Sequence, residues 1–187
     1  MTDRRRIAIT GMGLVSPLGE DVDVFWENLL AARSGIVPLQ RFDTTGFSAR
    51  IGGECTQFDP TKKIDRRAAK RLDRFAQMAL SAAIDAYQGA GLKPDSVDPN
   101  RIGVITGTGI GGINELEEQH ARLTEKGPGK VSAFTIPKLM SNAASGNISI
   151  QFGARGPSTA VATACASATN AMGDALYALR RGDVDIV

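Results

Sequence analysis

Short apolar runs that end in glycine and hand the chain to a helical segment recur along this sequence. That alternation restricts it to a layered α/β architecture. Arg5-Arg6-Ile7-Ala8-Ile9-Thr10, followed by Gly11-Met12-Gly13, predicts a strand and a glycine turn. Asp21 to Arg33 predicts a helix, with Asp21 as its N-cap and Gly35 just past its end. Ser48 to Cys55 predicts a second strand, broken at Gly52-Gly53. A long helix is predicted from about Asp65 to Gln88, because Leu72, Phe75, Ala76, Ala79, Leu80 and Ala83 recur at helical spacing. Arg101 to Thr106 reads as a buried strand closed by glycines, and Asn114 as the cap of a polar helix through Glu125. Gly127-Pro128-Gly129 is a loop, Pro137 opens a helix to about Phe152, and Ser158 to Ala162 is a short strand. A helix from Cys165 to Arg181 follows. Asp183 to Val187 then opens an apolar strand that stops, so we expect residues 1–187 to be truncated at the start of a core strand.

Composition narrows the function classes. The net charge of +2 argues against a general polyanion binder, and 21 glycines beside two tyrosines and one tryptophan point to close backbone packing. No apolar run approaches the roughly 18 residues that span a bilayer, and Ile7 to Thr10 is too short for a signal-peptide core. Cys55 and Cys165 lie far apart, without metal-ligand spacing, which fits a reducing, cytoplasmic setting.

Cys165 ends the run Ser158-Thr159-Ala160-Val161-Ala162-Thr163-Ala164 and is followed by small residues, Ala166, Ser167, Ala168, Thr169, Ala171 and Gly173. A cysteine where a strand meets a helix faces the positive end of the helix dipole and unpaired N–H groups. That field favours the reactive thiolate, and the same N–H groups are placed to hold an oxyanion. On these residues alone, a small cysteine that lets helices pack closely has the stronger claim. The only histidine, His120, sits in Glu115-Leu116-Glu117-Glu118-Gln119-His120, on a polar helix face, and reads as a surface residue.

Thr163-Ala164-Cys165-Ala166-Ser167 resembles the active-site segment of the β-ketoacyl-[acyl-carrier-protein] synthases. The opening Ile9-Thr10-Gly11-Met12-Gly13-Leu14-Val15-Ser16-Pro17-Leu18-Gly19 is similar to that family's first strand and turn. So are Ser34-Gly35-Ile36, Arg41-Phe42-Asp43, Arg101-Ile102-Gly103, Gly107-Thr108-Gly109-Ile110-Gly111-Gly112 and Gly153-Ala154-Arg155-Gly156-Pro157-Ser158, in family order along essentially the whole chain. The nearest likeness is to the elongating type II enzymes of dissociated bacterial fatty-acid synthesis.

The resemblance implies a thiolase-like α/β fold, in which this chain is one βαβαβαββ half with a mixed sheet covered by helices, and a homodimer. It implies an acyltransferase that performs a decarboxylative Claisen condensation without a cofactor or metal. Cys165 would take an acyl group from acyl-carrier protein, with its own N–H as one oxyanion donor, and malonyl-carrier protein would supply the carbanion. Ile110 matches a residue of the acyl-chain pocket. The family's two histidines and its lysine belong to a second half, so the expectation is that this chain alone is inactive.

Lys63, Arg66, Arg67, Lys70, Arg71 and Arg74 follow helical spacing that puts them on one stripe of the predicted long helix. Lys62 to Arg74 holds seven basic and two acidic residues, a net of +5 that leaves −3 for the rest. On charge alone this is a solvated face. No aromatic residues interleave, so nucleic acid is not the expected partner. In the resembling family a strongly acidic carrier protein docks near the corresponding helix. That likeness extends to Arg66, Arg67, Lys70, Arg71, Arg74 and Lys130, whereas Gly129 departs from the basic residue often found there.

Three rival readings remain. Gly107-Thr108-Gly109-Ile110-Gly111-Gly112 satisfies GxGxxG between a strand and a helix, as in dinucleotide-binding oxidoreductases. That fingerprint requires a second parallel strand with an acidic residue about 20 residues on. Here Lys126-Gly127-Pro128-Gly129-Lys130 follows instead. A condensing enzyme of polyketide assembly shares much of the pattern. A non-catalytic folding or dimerisation module is the third.

Overall fold

The computed structural model describes residues 5–93 and 96–187, so Met1 to Arg4 of the basic opening lies outside the described residues. α1 spans Val22–Leu30, and the Asp21 carboxylate caps it by accepting from the N–H groups of Asp23 (2.8 Å) and Val24 (3.3 Å), as its sequence predicts. β1 (Ile36–Pro38) pairs antiparallel with β2 (Ile51–Gly53). Of the predicted Ser48 to Cys55 strand only this central part forms, and β1 carried no strand signal of its own.

The strand predicted over Arg5 to Thr10 does not form, and Ile9 is exposed. Residues 11–13 run beside α3 (Arg74–Gly89), so closely that a β-carbon at Gly11 would overlap the Ala86 carbonyl. An extended segment becomes a strand only where a neighbouring strand pairs with its backbone, and none among the described residues does so.

The long helix predicted over 65–88 is two helices, α2 (Arg66–Ala69) and α3. Asp73 makes the break. Its backbone is extended, and its carboxylate accepts from Phe75 N–H (3.2 Å) at the start of α3. The other oxygen accepts from Glu115 N–H (2.8 Å) in the first turn of α4 (Ile113–Lys126). One buried carboxylate thus serves two positive helix ends. Asn114, the expected cap of α4, makes no cap bond; Gly112 holds that position.

β3 (Val104–Gly107) pairs parallel with β4 (Ser158–Val161), in the register Val104 to Ser158 through Gly107 to Val161. The helix expected from Pro137 to Phe152 also divides, into α5 (Thr135–Leu139) and α6 (Ala143–Phe152), because Met140 leaves the helical backbone region. α7 spans Ser167–Arg181, and the apolar end past it forms only an isolated bridge, Ile102 to Ile186. Among the described residues the strands stand as two separate two-stranded sheets rather than one mixed sheet, within an α/β layered fold.

The core joins α3 and α6 against one side of β3. Ala76, Leu80, Ile84, Ala144, Ile148 and Val104 are buried together there, and each large side chain contributes about 1.5–3 kcal/mol by leaving water. α7 packs on β3 and β4 through small residues, Ser167, Ala171 and Ala178. Among the described residues no helix is long and apolar enough to cross a membrane.

Candidate active site at the β4–α7 turn

The two cysteines have opposite environments. Cys55 is half-buried; burial pushes its thiol above the ordinary value, and Arg74 only partly offsets this. Cys165 is exposed, in a 3₁₀ turn over Ala164–Ala166 between β4 and α7. The predicted helix therefore begins two residues later than Cys165, which lies in the turn just before it. The turn's hydrogen bonds run from Ala166 N–H to Thr163 O (3.1 Å) and from Ser167 N–H to Ala164 O. Neither uses the Cys165 N–H, which is what an oxyanion donor requires.

Two features of this turn escaped sequence reasoning. Ala164 has φ 50°, the left-handed region in which a β-carbon crowds its own backbone. Ser167 is buried, and its hydroxyl accepts from Thr163 N–H (2.9 Å) and donates to Ala164 O (2.7 Å). A hydroxyl two residues past a cysteine is too common a pattern to flag either.

The glycine loop after β3 adjoins the turn. A β-carbon at Gly109 would meet Ala164 at 3.6 Å, which brings the loop bearing Ile110 beside the cysteine turn. Ile110 itself is 65% exposed, on the open side of that loop. The loop does not resemble a pyrophosphate cradle. Gly112 is backed by the Lys138 carbonyl, and the Glu115 N–H in the first turn of α4 is taken by Asp73. A dinucleotide's phosphates need such N–H groups free.

The basic residues do not form one helical stripe, because the helix breaks between Ala69 and Arg74. Lys63 is paired with Asp85 at 2.5 Å. Arg74 is half-buried; its guanidinium donates to Cys55 O (2.6 Å) and lies 5.3 Å from the Phe58 ring centroid. Arg66, Arg67, Lys70 and Arg71 stay exposed at the α2–α3 corner. Arg71 lies over Phe134 (5.5 Å), which ties the corner to the segment following the exposed Lys130. His120 is exposed on α4.

Beside that corner a cleft of about 410 Å³ opens between α3, α4 and α5. Its walls mix Arg41, Lys70 and Lys138 with Glu115, Glu117 and Glu118. The Lys138 ammonium donates to Glu115 Oε2 at 2.6 Å, while Glu115 Oε1 has no partner among the described residues. No group of three or more His, Cys, Asp or Glu among the described residues is arranged to hold a metal ion.

Comparison with known proteins gives a consistent picture. The chain is 43% identical over 185 residues to 3-oxoacyl-[acyl-carrier-protein] synthase 2 of Staphylococcus aureus, covering 99% of this chain and 45% of that protein. It is 41% identical over 180 residues to the enzyme of the same name from Synechocystis sp., covering 96% and 43%. The chain thus spans less than half the length of these curated relatives. Among solved structures, the ishigamide ketosynthase/chain length factor superposes with a TM-score of 0.88 at 31% identity, covering 97% of this chain and 45% of that one. A β-ketoacyl synthase from Burkholderia phymatum gives 0.80 at 25%, covering 96% and 45%. These neighbours are thiolase-fold ketosynthases, and the thiolase-like α/β fold expected from the motifs holds. The family described as "Beta-ketoacyl synthase, N-terminal domain" matches residues 4–187, and on that extent of agreement the chain belongs to the β-ketoacyl synthase family.

Proposed function

We propose that residues 1–187 form the nucleophile-bearing N-terminal half of a condensing enzyme of fatty-acid elongation. The observation that carries this reading is the exposed Cys165 in the turn between β4 and α7, with its N–H outside the turn's hydrogen bonds. The sulfur of Cys165 attacks the thioester carbonyl of an acyl-carrier protein. The carrier's thiol leaves, and the acyl group remains as a thioester on Cys165. In this reading the Cys165 N–H steadies the oxyanion that forms in between. The carbanion that follows comes from malonyl-carrier protein with loss of carbon dioxide. The family places the two histidines and the lysine for that step in its second half. Among the described residues the only histidine is the exposed one on α4, so residues 1–187 alone do not condense.

An acyl-carrier protein is part of the relatives' own name, and the exposed corner of Arg66, Arg67, Lys70 and Arg71, with Lys130 beyond it, suits an acidic surface. Arg74 adds charge there but is held by Cys55 O and Phe58. Ile110, on the loop beside the turn, lines the acyl chain's path. A homodimer, a cytoplasmic setting and the absence of a cofactor belong to the same reading. Identities of 41% and 43% to fatty-acid enzymes, against 31% to the ishigamide ketosynthase, favour fatty-acid elongation over polyketide assembly.

The test uses the full-length protein that contains this chain, incubated with a long-chain acyl-carrier protein. Peptide mass spectrometry is expected to place the acyl group on Cys165. An unmodified Cys165 would remove the assignment.

A further inference from the structure

We propose that the Ser167 hydroxyl is the positioning residue of the acyl-accepting turn, a role that rests on reading Cys165 as the nucleophile. Ala164, immediately before Cys165, holds φ 50°. A residue with a β-carbon keeps that conformation only where its surroundings over-determine it. Ser167 supplies the determination from both sides, because one hydroxyl accepts from Thr163 N–H (2.9 Å) and donates to Ala164 O (2.7 Å). Cys165 lies inside the ring these bonds close. Ser167 is 3% exposed, so water is poorly placed to substitute for its oxygen.

Neighbouring contacts reinforce the clasp. Asn170, one turn further along α7, donates from Nδ2 to Thr163 Oγ1 at 2.7 Å. Gly107 at the end of β3 has no β-carbon, and one there would overlap the Ser167 carbonyl. The backbone of Ser167 is therefore seated against β3 while its side chain reaches back across the turn. Without the hydroxyl, Thr163 N–H loses its partner and Ala164 O keeps only the Ser167 N–H, so Ala164 is held less firmly and relaxes toward ordinary φ. That relaxation rotates the Cys165 sulfur and N–H together, and acyl transfer depends steeply on both placements. Ser167 touches no reacting atom in this account; it acts through Cys165.

The experiment measures single-turnover acyl transfer from acyl-carrier protein to Cys165 in the full-length protein, by intact-protein mass spectrometry. It compares wild type with S167A, S167T and S167V; threonine keeps the hydroxyl, and valine is its apolar isostere. We expect S167A and S167V to slow transfer about tenfold at saturating carrier protein, with the half-saturating concentration unchanged within about twofold. S167T is expected within about threefold of wild type. Equal rates for S167T and S167V, or a wild-type rate for S167A, would overturn the proposal. A hydroxyl-free variant that does not fold also counts against it, unless S167T folds and transfers at the wild-type rate. No adduct on wild-type Cys165 would overturn the nucleophile assignment instead, and the two failures are distinguishable.

Discussion

Gly107 lies flat against the first turn of α7: a β-carbon on it would sit 2.6 Å from the Ala168 nitrogen and overlap the Ser167 carbonyl. The end of β3 and the start of α7 are thereby locked at backbone distance, directly beneath the turn that bears Cys165. Both clashing groups are main chain, so neither yields by a side-chain rotation. Gly107→Ala is expected to destabilise the protein by about 1–3 kcal/mol, as overpacking does. Urea denaturation measures the loss, and slower acylation of Cys165 in the folded fraction is expected with it.

The buried pair of Glu115 and Lys138 ties α4 to α5, with the glutamate side chain 2% exposed and the lysine 19%. Lys138→Met would strand a carboxylate that already has one oxygen without a partner. The expected cost is about 3–5 kcal/mol. Adding Glu115→Gln removes the charge and should recover most of that loss. Equal stability of the single and double variants in guanidinium unfolding would contradict this account.

Asp185 accepts both nitrogens of an Arg101 fork at 2.9 Å and a third bond from Arg5 at 3.1 Å. The hydrogen bonds from Arg101 and then Arg5 lower its pKa to about 2. A carboxylate of depressed pKa adds stability that is complete above its unfolded value, about 3.9, and is lost as pH falls through about 2. Wild type and Asp185→Asn should therefore differ in thermal midpoint at pH 5 and converge between about pH 4 and 2. A gap that stays constant across that window would refute the assignment.

Reversing Arg66, Arg67, Lys70 and Arg71 to glutamate together should weaken acyl-carrier-protein binding by about tenfold or more at low salt. The difference should shrink toward about twofold at 0.5 M salt, where screening shortens the reach of exposed charges. Calorimetry at two salt concentrations reads both. Because the four side chains are exposed, thermal stability should change little.

Individual residues show where the sequence was readable. Asp21 capped α1 where its position before the helical run indicated, because a cap is a local bargain between one side chain and the next two N–H groups. The sequence places Asp73 inside a continuous helix, yet it is the N-cap that starts a new one, α3, and its second oxygen accepts from Glu115 N–H on a distant element. Ile7 to Thr10 has strand composition but no strand partner, and strand formation is decided by the neighbour rather than by the segment.

The nucleophile candidate, its strand-to-helix setting and the family follow from the order of residues alone, since strand, small-residue turn and helix start are local patterns. The exposure of Cys165, the positive φ of Ala164 and which basic residues stay free required the folded chain. Those features depend on the Ser167 hydroxyl between Thr163 and Ala164, and on contacts between Ser167 and Gly107, Arg74 and Cys55, and Asp73 and Glu115. Such residues lie far apart along the chain or act through backbone groups, and close packing rather than local preference brings them together.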